Sequence, residues 1–323
     1  MQERGYPMTK QSGADAAKGP VLETRGLTVE YTMGRSKRVR AVDGLDLAVQ
    51  PGEVVGFIGP NGAGKSTTIK ALMGFLRPTK GEVRVFGKPV GNIAERRRLG
   101  FLPEVALYYP WLTARETLRL FADLSEIPKA KQEPMIDDLL ERVGLGGRDK
   151  ESLRGFSKGM LQRVGIAQAI MGDPELLILD EVTSGLDPVA RYDVRRILMD
   201  FKARGRTVFF SSHELTEVTM LCDRVIIVDS GKVLEEGPIE QLLAASQRFH
   251  VRIRGDQPLT TMPEGIMLHS LSNGYHVYVA ENEEGVERLR AAAGASNLSI
   301  EDVEASAASL EDFFVRRIGR KVT

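Results

Sequence analysis

Gly59-Pro60-Asn61-Gly62-Ala63-Gly64-Lys65-Ser66-Thr67 matches the phosphate-binding pattern G-x-x-x-x-G-K-[ST], with Gly59, Gly64, Lys65 and Ser66 in the required places. Val54-Val55-Gly56-Phe57-Ile58 before it reads as a short buried strand. Thr68-Ile69-Lys70-Ala71-Leu72-Met73 after it reads as the first turns of a helix. A strand, a glycine-rich turn and a helix start gather backbone N–H groups and the positive end of a helix around one anion. Lys65 then reaches the β- and γ-phosphates, and the Ser66 hydroxyl can hold Mg²⁺. Pro60, Asn61, Gly62, Ala63 and Thr67 complete the turn. The stretch implies a nucleoside triphosphate site.

Upstream, Val21 to Tyr31 alternates like a half-exposed strand, and Ala41 to Val49 alternates again. A small antiparallel sheet is therefore expected before the phosphate loop. Tyr31 ends the first of these strands, where its ring can stack on a base. The basic run Arg35 to Arg40 reads as a solvated loop. Downstream, Gly81 to Gly87 and Gly100 to Glu104 read as short strands. Thr113-Ala114-Arg115-Glu116 is a capping box opening a helix that carries Leu118, Leu120, Phe121 and Leu124. A second amphipathic helix is expected over Met135 to Val143. This helical block, about residues 105–172, interrupts a β/α alternation as an inserted subdomain would.

The alternation resumes with the apolar strands Leu176 to Leu179 and Thr207 to Ser212 and a helix from Val189 to Arg204. A helix over Glu214 to Leu221 and a hairpin around Asp229-Ser230-Gly231 follow. The expected fold is α/β: a phosphate-loop core with a mixed, largely parallel sheet, an antiparallel β subdomain and the helical insert. Residues 244–323 change character and read as a small α+β domain. Its strands are expected at His250 to Ile253, Tyr275 to Val279 and Ser299 to Val303, and its helices at Glu284 to Ala293 and Ser309 to Ile318. Met1 to Pro20 is polar and rich in small residues and reads as a disordered leader.

Composition excludes several classes. The 44 basic and 44 acidic side chains balance, so no global field argues for nucleic acid or an anionic membrane surface. The single cysteine, Cys222, excludes an internal disulfide and a Cys-rich zinc site, and fits a reducing cytosol. It reads as packing rather than as a reactive thiol. The other histidines, His250, His269 and His276, show no ligand spacing. No apolar run approaches the roughly 20 residues that a spanning helix needs.

Many enzymes have a phosphate loop, so its companions decide the chemistry. Leu177-Ile178-Leu179-Asp180-Glu181 delivers two acids at the end of an apolar strand. Asp180 is placed to hold Mg²⁺ and Glu181 to take a proton from an attacking water. Two adjacent carboxylates repel each other, which gives them little structural purpose.

With these residues the chain resembles the ATP-binding subunit of a bacterial ABC transporter, over about Val21 to Leu243, and within that family an exporter-like (ABC-2 type) subset. Phe156-Ser157-Lys158-Gly159-Met160-Leu161-Gln162-Arg163 is similar to the family signature, usually Leu-Ser-Gly-Gly-Gln followed by a Gln-x-Arg segment. Ser184-Gly185-Leu186-Asp187 resembles the dimer-contacting loop, and His213 the histidine that senses the γ-phosphate. Glu104 stands where the family normally has a glutamine bridging Mg²⁺ and the membrane partner. Tyr31 falls at the adenine-stacking position. Lys158, Met160, Glu104 and Val182 depart from the usual glycine, glutamine, glutamine and proline.

The resemblance implies ATP and Mg²⁺ as cofactors and Glu181, His213 and Lys65 as catalytic groups. It implies Ser66, Glu104 and Asp180 at the metal. It further implies a head-to-tail dimer, with a second copy or a paralogous ATPase subunit, in which Ser157, Gly159 and Asp187 of one subunit complete the phosphate loop of the other. The expected work is powering a separate polytopic permease, with the chain peripheral on the cytoplasmic face of the membrane. Ser309 to Phe314 resembles the ending of ATPases that serve exporters; it also reads as a helix packing on its own small domain. The other reading is a soluble ABC-type ATPase acting on nucleic acid or the ribosome. Against it stand the short span from Lys65 to Ser157, free of heptads and cysteines, and the single ATPase domain.

Overall fold

Alternating strands feed two apolar cores from opposite faces of one sheet. In the computed structural model, residues 19–319 are described except 34–36, 256, 260, 273, 307 and 308. The expected leader therefore lies, up to residue 18, outside the described residues.

The chain opens with an antiparallel pair, β1 (Leu22–Met33) and β2 (Lys37–Val49), then β3 (Val54–Ile58) leads through the phosphate loop into α1 (Lys65–Leu72). Next come β4 (Lys80–Val85), β5 (Lys88–Pro89), the short α2 (Ile93–Arg96) and β6 (Leu99–Leu102). The helical insert is α3 (Ala114–Leu124), α4 (Lys129–Arg142) and α5 (Lys158–Ala169). The core resumes with β7 (Leu176–Leu179), α6 (Pro188–Ala203), β8 (Thr207–Ser212), α7 (Leu215–Leu221), β9 (Arg224–Asp229), β10 (Lys232–Pro238) and α8 (Ile239–Ser246). The C-terminal part adds β11 (Phe249–Arg254), β12 (Ile266–Ser272), β13 (Tyr275–Ala280), α9 (Glu283–Ala295), β14 (Ser299–Ala305) and α10 (Leu310–Gly319).

The central six-stranded sheet has the order β10-β9-β3-β8-β7-β6, parallel throughout except for the β9–β10 hairpin. The inner strands β3, β7, β8 and β9 are buried on both faces, as their apolar runs require. Leu176, Ile178 and Phe209 point into a core shared with α1 and the antiparallel sheet β2-β1-β4-β5. Leu177, Leu179 and Phe210 point the other way, into a core shared with the helical insert and α6 to α8.

Within the insert, Thr113 caps α3 as its sequence predicts. Its hydroxyl accepts from the Glu116 N–H at 3.1 Å, and the Glu116 carboxylate accepts from the Thr113 N–H at 2.9 Å. Leu118 is buried on this helix, but Leu124, expected among its apolar residues, is 69% exposed. It sits in the last turn, past the reach of the core.

Three further expectations are corrected. The basic run is not a loop from Arg35 to Arg40: β2 begins at Lys37, and Arg40 pairs with Glu30 and Asp43 beside it. Arg35 itself lies outside the described residues. Tyr31 does not end its strand, because β1 continues to Met33 opposite the early start of β2. The final helix does not pack on the small C-terminal sheet. That sheet, β12-β13-β11-β14, has its own core with α9, built on Val251, Tyr278 and Leu289. Leu310 and Phe313 of α10 instead join the large core, against α7 and α8. The amphipathic pattern of Ser309 to Phe314 was legible, but which apolar surface it would cover was not.

Candidate functional site

The phosphate loop leaves the C-terminal end of β3 and enters α1 at Gly64. Gly64 has φ of +100°, and a β-carbon there would stand 2.4 Å from the carbonyl oxygen of Ala41. Only glycine fits both the left-handed backbone and the close approach. Lys65 follows as the first helical residue and turns its side chain back under the loop. Its Nζ donates to the carbonyl oxygens of Gly59 at 2.7 Å and Pro60 at 3.4 Å.

The acidic pair arrives from the end of β7. β7 lies two strands from β3, with β8 between, so the C-terminal ends of all three parallel strands meet at one edge of the sheet. Open α/β sheets place ligands at that edge. Glu181 Oε1 lies 3.3 Å from Lys65 Nζ, and both residues are more than nine-tenths buried. On the other oxygen, Glu181 Oε2 lies 2.6 Å from His213 Nδ1. Glu181 holds φ of +50°, a left-handed value that costs a non-glycine residue about 1 kcal/mol. Two contacts secure it: its N–H donates to the Ser211 carbonyl at 3.2 Å and to the Ser211 hydroxyl at 3.0 Å.

Asp180 Oδ1 accepts from the Ser211 hydroxyl at 2.6 Å and from the Ser66 hydroxyl at 3.4 Å. Ser66 and Asp180 thus present hard oxygen donors side by side, the donor chemistry that Mg²⁺ takes. Among the described residues no group of three acidic, histidine or cysteine side chains forms a cage of its own.

These residues converge on one cleft of about 490 Å³, lined by Pro60, Asn61, Gly62, Gly64 to Thr67, Glu104, Glu181 and His213, with Ala41 and Ser184. Its size and mixed polarity suit a small polar ligand. Ala63 is buried beneath it, its carbonyl accepting from Gly231 N–H at 3.0 Å. Tyr31 does not line the cleft, but its hydroxyl is 3.3 Å from the Thr67 hydroxyl, which does.

The signature residues lie elsewhere. Ser157 caps α5, its hydroxyl accepting from the Met160 N–H at 3.3 Å. Gly159 is pressed on α6: a β-carbon there would be 2.8 Å from that of Ala190. Asp187 caps α6, accepting from the Ala190 N–H at 2.9 Å. The structure therefore joins Ser157, Gly159 and Asp187 to one another, and none of them lines the phosphate cleft.

Ser211 is the functional residue that the sequence reading passed over. It is fully buried, touches both acids and fixes their positions. A hydroxyl inside the apolar run of β8 is the signal that marks it, because a buried polar atom needs a partner.

Comparison with known proteins agrees with this geometry. Residues 42–184 match the family model described as ABC transporter. An uncharacterized ABC transporter ATP-binding protein of Nostoc sp. is 39% identical over 316 residues, spanning 94% of this chain and 91% of that protein. A fluoroquinolones export ATP-binding protein of Mycobacterium tuberculosis is 37% identical, spanning 94% of this chain and 95% of its own length. Among solved structures, an ATP-binding subunit of an ABC transporter superposes with a TM-score of 0.62 at 33% identity, covering 69% of this chain and 92% of that one. The ATP-binding cassette MJ0796, a dimer bound to ADP and Pi, shares the fold with a TM-score of 0.62 at 24% identity, covering 68% of this chain and 98% of that one. An α/β fold with a phosphate loop, an acidic pair and a capped signature helix, with relatives alike over nearly its whole length, places this chain in the family of ABC transporter ATP-binding proteins.

Proposed function

We propose that this chain hydrolyses ATP in a head-to-tail dimer, at two sites each shared between copies, and that the cycle drives export through a separate membrane permease. The observation that carries this reading is the division of the site. One cleft is lined by Lys65, Ser66, Glu181 and His213, with Asp180 hydrogen-bonded to Ser66, while Ser157, Gly159 and Asp187 cluster away from it at the starts of α5 and α6. A second copy supplies the missing half to each cleft.

The loop N–H groups and Lys65 bind the β- and γ-phosphates, and Ser66 and Asp180 would hold Mg²⁺. When bound, Mg²⁺ neutralises charge that develops on the phosphoryl oxygens. Lys65 turns from Glu181 to the phosphates, which frees the Glu181 carboxylate to accept a proton from the attacking water. His213, hydrogen-bonded to the other carboxylate oxygen, orients Glu181 and senses the γ-phosphate. Tyr31 packs on the base beside Thr67. From the second copy, the N–H groups at the start of α5, with Ser157 and Gly159, close on the γ-phosphate. Asp187 steadies that contact.

The permease reading is supported by the segment following Glu104. Val105, Leu107, Tyr109 and Trp111 are exposed, with Leu107 at 90% and Trp111 at 70%, and the two rings pack 5.2 Å apart. Contiguous exposed apolar side chains of this kind mark a protein contact. Cytoplasmic helices of a permease are the occupant that fits. Among the described residues no helix is long and apolar enough to cross a membrane. The export direction rests on the name of the Mycobacterium relative and on the exporter-like C-terminal ending. The C-terminal sheet with β11 to β14 and α9 forms an accessory domain after the ATPase domain.

Pull-down from detergent-solubilised membranes tests the assignment. Recovery of a polytopic permease is expected; recovery of ribosomes or DNA instead would overturn it.

A further inference from the structure

Two exposed charges of opposite sign stand on the two halves of the site. Lys158 is the first residue of α5, directly after the Ser157 cap, and is exposed. Its Nζ rests against Gly185 in the loop that leads to Asp187. Gly185 has φ of +65°, and a β-carbon there would stand 2.4 Å from the ammonium. The missing side chain at Gly185 makes the seat in which Lys158 lies. The ammonium is thereby held between the signature turn and the loop before α6.

Glu104 stands in the wall of the phosphate cleft and is also exposed. Lys65 is the cation of that cleft, and it is already engaged by Glu181 at 3.3 Å. Among the described residues neither Lys158 nor Glu104 makes an ion pair or a side-chain hydrogen bond. Among the described residues each is a charge without a counter-charge, and the two signs are opposite.

We propose that Lys158 of one copy and Glu104 of the other form a charge pair across the nucleotide-closed dimer. The inference rests on the shared-site reading above. Opposed charges at an interface steer association and reject a wrong register more than they add raw affinity. Here they would favour the orientation that seats one copy's signature turn on the other copy's cleft. A partner carrying an uncharged residue at either position would lose that preference, so the pair also bears on which paralogue can join a mixed dimer.

The test uses the full chain with Glu181→Gln, which keeps bound ATP intact, and follows dimer formation by light scattering as Mg-ATP is added. Lys158→Glu and Glu104→Lys are each expected to raise the ATP concentration needed for half-dimerisation about tenfold at low salt. The doubly reversed chain, Lys158→Glu with Glu104→Lys, restores opposite charges across the interface and is expected to regain most of that loss. High salt should shrink the differences among the four proteins. Binding of a fluorescent ATP analogue at concentrations that leave the protein monomeric separates this effect from altered nucleotide affinity. A parent that stays monomeric at saturating Mg-ATP overturns the shared site, and the pair with it. A parent that dimerises, beside a doubly reversed chain no better than the weaker single variant, overturns the pair alone.

Discussion

His213 Nδ1 lies 2.6 Å from Glu181 Oε2, so the residue at the end of β8 holds the acid at the end of β7. The contact fixes one carboxylate oxygen while Lys65 approaches the other at 3.3 Å. Glu181 is therefore gripped from both sides, and it stands on a backbone conformation that Ser211 must hold in place. On the proposed reading, the site is a preset arrangement of a base, its orienting partner and a cation. Binding of a triphosphate needs only to draw Lys65 away.

His213→Ala removes the orienting contact and leaves the phosphate loop intact. ATP turnover is expected to fall about 100-fold, with the KM for ATP changing far less. Steady-state kinetics checks this; a loss carried by KM would assign His213 to binding instead.

Lys65→Met should act on stability as well as on nucleotide affinity. It leaves Glu181 buried without its cation, and breaking a buried pair from one side costs about 3 kcal/mol. Adding Glu181→Gln removes the stranded charge and should recover much of that loss. Denaturant unfolding of the two variants without nucleotide gives the comparison. Equal stability of single and double variants would contradict the pairing.

Leu310→Ala should destabilise the large core, since α10 covers α7 and α8. A buried leucine truncated to alanine typically costs about 3 kcal/mol. Hydrogen exchange is expected to quicken in α7 and α8 more than in β11 to β14. The reverse pattern would return α10 to the small sheet.

Cys222 should resist thiol reagents in the folded protein. Burial pushes its thiol well above the ordinary range, and the nearby Asp223 carboxylate adds to the shift. Cys222 is partly buried, and the thiolate is the reactive form, so labelling near pH 8 is expected to be slow in the folded chain. Rapid labelling without unfolding would show an accessible thiol.

Much of the ATPase part was legible because its signals are local. The phosphate loop, the capping box at Thr113 and the apolar strand ending in Asp180 and Glu181 each declare themselves within a few residues. Ser211 was harder to see, because its role depends on a neighbouring strand brought beside it by the parallel sheet. The start of β2 at Lys37 was hidden by charge: an exposed hairpin arm carries basic residues as readily as a loop does. The placement of α10 was invisible for another reason. An amphipathic pattern states that a face will be covered and is silent on which surface covers it. The segregation of Ser157 from the phosphate cleft likewise needed three dimensions, though the resemblance had implied it.

The central claim is that each catalytic site takes its phosphate loop from one copy and its signature from another. Mixing two inactive variants, Lys65→Ala and Ser157→Arg, tests it most directly. Neither variant alone should hydrolyse ATP, since every site in each homodimer is broken. In the mixture, a dimer of one copy of each holds one site with both Lys65 and Ser157 intact. The account predicts that activity returns on mixing; a mixture as silent as its components, or a Ser157→Arg protein as active as the parent, would contradict it.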